Sequence, residues 1–332
     1  MSRFARIAGT GRYVPEKVLT NDQLSRMLGE DINDFVAGVV GIRERHICSD
    51  EESTADLATN AARDALSNAG VDPLALDLII VASDTPEYIS PATSSVVQSK
   101  LGAHRAANFD VNCACASFVT ALDTAAKFII ADRQYKNILV IGAYAMSKYL
   151  DWGDKKTCTI FADGAGAVVL QASKEGPGYL GSRLAADGSY HDAMGIYAGG
   201  THLPTDERVL AEGRFNRVRF VKKIPAEFNL EHWPLLIREV LDRCEMKLDD
   251  VAMFIFTQVN LSTIKEVMKA LELPMSRTHT VMDKWGYTGS ACIPMALDDA
   301  ARQGKIKTGD NIILCASGGG VSMACAAFRW TI

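Results

Sequence analysis

The sequence predicts an α/β fold built from two similar halves, and three observations carry that prediction. Short apolar runs alternate with helical patterns along most of the chain. Three separate segments recur at one constant spacing. Of the 332 residues, 48% are hydrophobic, enough for a large core. Strand–helix alternation of this kind is the mark of an α/β architecture.

Taken in order, Met1-Ser2-Arg3-Phe4-Ala5-Arg6 opens directly into an apolar strand-like segment, without the separate hydrophobic region of a secretory signal. Residues 54–69 read as a helix and 77–82 (DLIIVA) as a buried strand. Residues 115–132 read as a helix and 137–143 as a strand. The second half repeats the scheme: helix 234–244, strand 253–256, helix 290–303, strand 311–316. Arg63-Asp64-Ala65-Leu66 matches Arg238-Glu239-Val240-Leu241, and Ala121-Leu122-Asp123 matches Ala296-Leu297-Asp298. Ile138-Leu139-Val140 matches Ile313-Leu314-Cys315. Each pair lies 175 positions apart, which predicts halves of one fold, 1–173 and 174–332. The polar, turn-rich Ser173-Lys174-Glu175-Gly176-Pro177-Gly178 marks the boundary. Residues 190–225 have no counterpart at that offset and read as a lid-like insertion.

With 35 basic and 40 acidic residues the net charge is −5, which does not suggest nucleic-acid binding. No apolar run approaches the roughly 18 residues that span a bilayer, so no membrane partner is expected. The 8 cysteines are scattered without a CxxC pair, so no metal site is expected and a reducing cytoplasm is the natural setting.

Asn112-Cys113-Ala114-Cys115-Ala116-Ser117 runs from a strand into a helix expected to begin near Cys115. A cysteine there feels the positive end of the helix dipole and free N–H groups, which favour thiolate. The same N–H groups suit an oxyanion. On spacing alone, two buried core cysteines are the more ordinary reading.

The motifs decide between them. Ile7-Ala8-Gly9-Thr10-Gly11-Arg12-Tyr13-Val14-Pro15, Gly41-Ile42-Arg43-Glu44-Arg45-His46, Phe161-Ala162-Asp163-Gly164-Ala165-Gly166-Ala167 and Gly318-Gly319-Gly320 occur in order. With them the chain resembles, along nearly its whole length, the β-ketoacyl-acyl-carrier-protein synthase III family of the thiolase superfamily. The Gly9-x-Gly11 turn is then no dinucleotide site, and it lacks the third glycine and downstream acid of one. The resemblance implies a five-layered αβαβα sandwich, usually a homodimer, that needs no cofactor beyond CoA or phosphopantetheine as the thioester carrier. It implies Cys115 as nucleophile and the Cys115 and Gly319 amides as oxyanion donors.

Two family residues are missing. Where the family has a histidine heading a His-Gln-Ala-Asn motif, this chain reads Thr257-Gln258-Val259-Asn260. Where it has asparagine in Tyr-Gly-Asn-Thr, this chain reads Trp285-Gly286-Tyr287-Thr288. Removing one such oxyanion donor costs about 10²–10³ in rate. Thr257 and Tyr287 hydroxyls can donate hydrogen bonds, but neither is an acid–base near neutrality. His191, His202 and His279 are the candidate substitutes, and His46 reads as structural. The expected reaction is acyl loading on Cys115 followed by decarboxylative condensation. The alternatives are plain acyl transfer to a hydroxyl or amine, a thioesterase, or a weakly active partner in a heteromeric synthase.

For the carrier, the resemblance places Phe35 at the adenine-stacking position and Lys155 at a phosphate position, with Asn260 and Ser90 on the substrate side. Ser90 replaces a bulky residue linked to chain length. Acyl-carrier protein, an acidic partner, is expected to meet Lys265 and Lys269. The run Arg214-Phe215-Asn216-Arg217-Val218-Arg219-Phe220-Val221-Lys222-Lys223 reads as a basic edge with Phe215, Phe220 and Val221 on one buried face.

Overall fold

Apolar runs bounded by turn formers pair into two large sheets, with two further two-stranded ones beside them. The structure, a computed structural model, describes residues 3–213 and 215–332; Met1, Ser2 and Arg214 lie outside the described residues. The first sheet contains β1 (Phe4–Tyr13), β2 (Leu78–Ala82), β3 (Ala107–Val111), β4 (Asn137–Ala145) and β5 (Asp163–Ser173), in the order β1-β5-β4-β2-β3. The second contains β6 (Tyr179–Ala186), β7 (Val251–Phe256), β8 (Asn311–Gly318) and β9 (Ser322–Arg329), in the order β6-β9-β8-β7. In each, two antiparallel pairings lead to a parallel one, so the strand order and directions of one sheet recur in the other. All five residues of β2 are buried, as expected of a parallel strand covered on both faces.

The helices complete five layers. α1 (Thr54–Ala69) and α2 (Thr93–Leu101) cover the outer face of the first sheet. α3 (Ser117–Ala131) lies between the sheets. α4 (Phe228–Arg243), flanked by α5 (Leu261–Ala270), covers the second sheet, and α6 (Cys292–Arg302) returns to the middle beside α3. The architecture is the αβαβα sandwich.

The middle layer explains the repeated Leu-Asp. Asp123 of α3, 2% exposed, accepts hydrogen bonds from Tyr179 (2.6 Å) and Ser182 (2.7 Å) on β6. Asp298 of α6, 1% exposed, accepts from Thr10 (2.8 Å) and pairs with Arg12 (2.5 Å) on β1. Each central helix thus ties itself to the edge strand of the opposite half. Paired this way, the buried carboxylates avoid the penalty of an isolated charge.

Three expectations need correction. Residues 114–131 do form an apolar 18-residue window, but 61% of it is buried between the sheets, so its apolarity serves the core. α4 begins at Phe228, six residues ahead of the expected start. Burial of Phe228 and Trp233 carries the helix through Pro234. In the basic run the buried residue is Val218 (2%), while Phe220 is 39% and Val221 60% exposed. A short strand, Val218–Phe220, paired with Met194–Ile196, sets that alternation.

Glycine allows β1 to lie directly against α1. A methyl group on Gly11 would stand 2.3 Å from the Ala65 nitrogen, and one on Gly9 would stand 2.6 Å from the Ala69 nitrogen. This close packing accounts for the Gly9-x-Gly11 motif. Gly11→Ala is expected to destabilise the protein by about 1–3 kcal/mol through overpacking. Gly200→Ala, at a site with open space and no left-handed backbone, is the control. The check is a denaturant-unfolding comparison of the two variants with the parent chain.

Candidate active site

The site starts from a turn between β3 and α3. Asn112 Oδ1 accepts the Ala114 N–H at 3.1 Å, and Ser117 Oγ accepts the Cys113 N–H at 2.7 Å. The Ser117 hydroxyl donates back to the Ala114 carbonyl at 2.5 Å. These bonds hold Ala114 at φ 47°, a left-handed conformation that costs a non-glycine residue on the order of 1–3 kcal/mol. The helix therefore begins at Ser117, and Cys115 sits in the turn ahead of it, 4% exposed.

The second sheet closes on this turn through glycine. A methyl group on Gly318 would lie 2.6 Å from the Cys113 carbonyl oxygen and 2.6 Å from the Cys115 nitrogen. Gly319 follows, beside a cavity of about 210 Å³ that also reaches Cys115, Thr257 and Tyr287. Four candidates from four distant segments thus share one cavity. Its wall is mostly apolar, with Phe161 and Phe228 from the body of the fold. Met194, Phe220, Ile224 and Pro225 come from the 190–225 stretch. Among the described residues that line it there is no His, Asp, Glu, Lys or Arg.

Electrostatics differ from the thiolate expectation. Burial pushes the Cys115 thiol well above its ordinary range, and the Asp84 carboxylate adds to that shift. A hydrogen bond with Tyr287 works the other way. Desolvation outweighs the helix dipole here because Cys115 precedes the helix and is shut away from water. Cys115 therefore rests as a neutral thiol. Burial also raises the Tyr287 phenol well above its usual value, with Cys115 and Cys292 adding to the shift, so it stays a donor.

Tyr287 is firmly held. Its N–H donates to Ile160 O at 3.0 Å, its carbonyl accepts from Ala162 N at 2.9 Å, and its ring stacks on Phe161 at 5.7 Å. Thr257 is less free than its position suggests. Its Oγ1 accepts the Ser317 N–H at 3.0 Å and donates weakly to Ser317 O at 3.4 Å.

The remaining candidates lie off the cavity wall. Asn260 caps α5, accepting from Ser262 N at 2.9 Å. Phe35 is 62% exposed. Lys155 pairs with Glu30 at 2.8 Å, which brings it against the segment that leads to Phe35. Ser90 is exposed on the loop before Pro91. Lys265 and Lys269 are exposed one turn apart on α5. His46 is bonded to Pro15 O at 2.5 Å, and buried His279 sits 2.8 Å from Asp299 and 3.0 Å from Lys305. His191 and His202 are exposed, and none of these histidines lines the cavity. The sequence reading missed Asn229 and Ser317, which line the cavity and are joined by a 2.8 Å hydrogen bond. Both are polar residues beside apolar runs, and no motif marks them.

Residues 109–188 match the family model for 3-oxoacyl-[acyl-carrier-protein (ACP)] synthase III, and residues 241–330 match its C-terminal counterpart. A β-ketoacyl-[acyl-carrier-protein] synthase III of Roseiflexus castenholzii is 39% identical over 100% of this chain and 99% of its own length. The crystal structure of 3-oxoacyl-[acyl-carrier-protein] synthase III from Aquifex aeolicus superposes with a TM-score of 0.88 at 35% identity, covering 98% of this chain and 100% of that one. The priming β-ketosynthase of the R1128 polyketide pathway superposes with a TM-score of 0.91 at 26% identity, covering 99% and 97%.

The Tyr287 hydrogen bond favours the ionised form of Cys115, so Tyr287→Phe is expected to raise the thiol further. The rate of Cys115 alkylation by iodoacetamide, followed against pH, should then move to higher pH than in the parent chain. An unchanged profile would remove Tyr287 from the electrostatics of the nucleophile.

Proposed function

Because this chain belongs to the 3-oxoacyl-[acyl-carrier-protein] synthase III family of condensing, acyl-transferring enzymes, we propose that it loads an acyl group onto Cys115 and condenses it with a malonyl-type thioester. The observation that supports this most is the shared cavity, where Cys115, Tyr287, Thr257 and Gly319 meet on an apolar wall fit for an acyl chain. In the first step the Cys115 sulfur attacks the thioester carbonyl of acyl-CoA or acyl-carrier protein. The Cys115 and Gly319 amides stabilise the oxyanion, and the carrier thiol departs. In the second step carbon dioxide leaves the malonyl group and the enolate carbon attacks the acyl-Cys115 carbonyl, freeing the sulfur.

The chemistry of Tyr287 supports the second step. Its hydroxyl engages the Cys115 sulfur before loading. Sulfur is a weak acceptor, and a thioester sulfur competes poorly with a charged enolate oxygen for the phenol. The phenol is then available to the enolate oxygen. Thr257 offers less, since its hydroxyl is engaged by Ser317. That engagement favours one further reading, transfer of the acyl group without decarboxylation. By the family resemblance, Phe35 is the aromatic face for adenine and Lys155 the charge for phosphate, with Asn260 and Ser90 on the substrate side. Lys265 and Lys269 present paired cations suited to an acidic carrier protein.

Intact mass spectrometry after mixing with short and medium acyl-CoAs should show one acyl adduct per chain, lost in Cys115→Ala. Malonyl thioester should then discharge the adduct with release of carbon dioxide. Discharge by hydroxyl or amine acceptors alone would favour the transfer reading. A chain that takes up no acyl group from any donor contradicts both.

A further inference from the structure

The cavity holds a neutral thiol and no base, yet loading must remove the thiol proton. In the strand register a carboxylate lies beside the Cys113–Cys115 turn. β2 lies between β3 and β4, with Ala82 opposite both Val111 and Gly142. The Ser83 N–H donates to Val111 O at 3.1 Å, so the pairing with β3 continues past the strand end. On the other side, Thr85 Oγ1 accepts the Ala145 N–H at 3.0 Å. This register sets Asp84 level with Cys113 on one side and Tyr144 on the other. Asp84 keeps the parity of Leu78, Ile80 and Ala82, whose side chains join the core between the sheets together with Cys115 and Tyr144.

One oxygen of the Asp84 carboxylate is also unpaired. Its Oδ1 is closed off from solvent and has no hydrogen-bond partner among the described residues, and the Tyr144 hydroxyl is in the same state. Buried polar groups left without partners are rare and call for a function. Of the charged groups acting on Cys115, Asp84 has the largest effect, and it leads those acting on Tyr144 as well. The other titratable groups acting on this cluster are Tyr149, Tyr287, Cys292 and Asp163, and none of them is a cation. Glu87, on the same loop as Asp84, is turned to the Ala55 N–H at 2.9 Å.

We propose that Asp84 is the proton acceptor for Cys115 during acyl loading, in a site that has no histidine to do it. This rests on the reading of Cys115 as the acyl carrier. As the sulfur–acyl bond forms, the thiol proton passes to the Asp84 carboxylate. As the bond to CoA breaks, the proton passes on to the departing CoA sulfur, so Asp84 ends ionised as it began. Burial pushes the Asp84 carboxyl up to about 6, which leaves it ionised at neutral pH yet basic enough to serve.

The test is the single-turnover rate of acyl-Cys115 formation from acyl-CoA, read by intact mass against pH in the parent chain, Asp84→Asn and Asp84→Glu. The parent rate should rise through about pH 6 and then level off. Asp84→Asn should load slower at pH 7 by about 10²- to 10⁴-fold, the usual contribution of a general base. Its deficit should shrink at high pH, where the thiol ionises unaided. Asp84→Glu should retain part of the rate. A purely electrostatic or structural Asp84 predicts the opposite. Removing its charge would ease ionisation of Cys115, and Asp84→Asn would load as fast as the parent or faster. That result overturns the proposal while leaving acyl-Cys115 intact. A parent pH profile with no rise near pH 6 overturns it whether or not the variants fold. No adduct on the parent chain at any pH overturns the reading of Cys115 itself.

Discussion

The close approach of Gly318 to the Cys113–Cys115 turn is the contact on which the site depends. A side chain at 318 would fall within 2.6 Å of the turn's backbone, so only glycine lets the second sheet reach the first at this point. That approach brings Gly319 and Thr257, at the ends of β8 and β7, to Cys115 on the first half. It also closes Cys115 off from water. Assembly of the site and desolvation of its thiol are therefore one event, and the strained Ala114 is sustained by the same packing.

Desolvation sets the chemistry that follows. A buried thiol stays protonated, however well a helix N-terminus would suit its anion. The cavity wall offers Tyr287 as a donor, and among the described residues that line it there is no His, Asp, Glu, Lys or Arg. Synthase III enzymes with a histidine at the Thr257 position have a titrating group that this chain lacks. Asp84, whose Oδ1 has no hydrogen-bond partner among the described residues, is the proton acceptor proposed in its place. The tie between halves has the same economy: Asp123 and Asp298 each bridge a central helix to the opposite sheet, so the two halves cannot separate without exposing both carboxylates' partners.

Much of the fold was legible because its signals are local. The bounds of α1 were readable as Thr54 to Ala69, since Ser53 and Asp56 form a capping box and Gly70 ends the helix in a left-handed conformation. The buried strands β2, β4 and β8 stood out as uninterrupted apolar runs. Cys115, Tyr287, Thr257 and Gly319 were found from motifs and do meet in one cavity. What escaped depends on three-dimensional surroundings. Burial of Cys115 cannot be seen in the Cys-Ala-Cys spacing. The helix-capping role of Asn260 is likewise invisible in its motif. Asp84 after an apolar strand reads as an ordinary turn residue, and only the register of β2 against β3 and β4 reveals what it faces.

The central claim is that the acyl group rests covalently on Cys115 between two half-reactions. Rapid-mixing measurement of CoA released from acyl-CoA, in the absence of any acceptor, tests it most directly. The account predicts a burst of one CoA per chain followed by near-silence until a second substrate is added. Release with no burst, or release that waits for the second substrate, would contradict it.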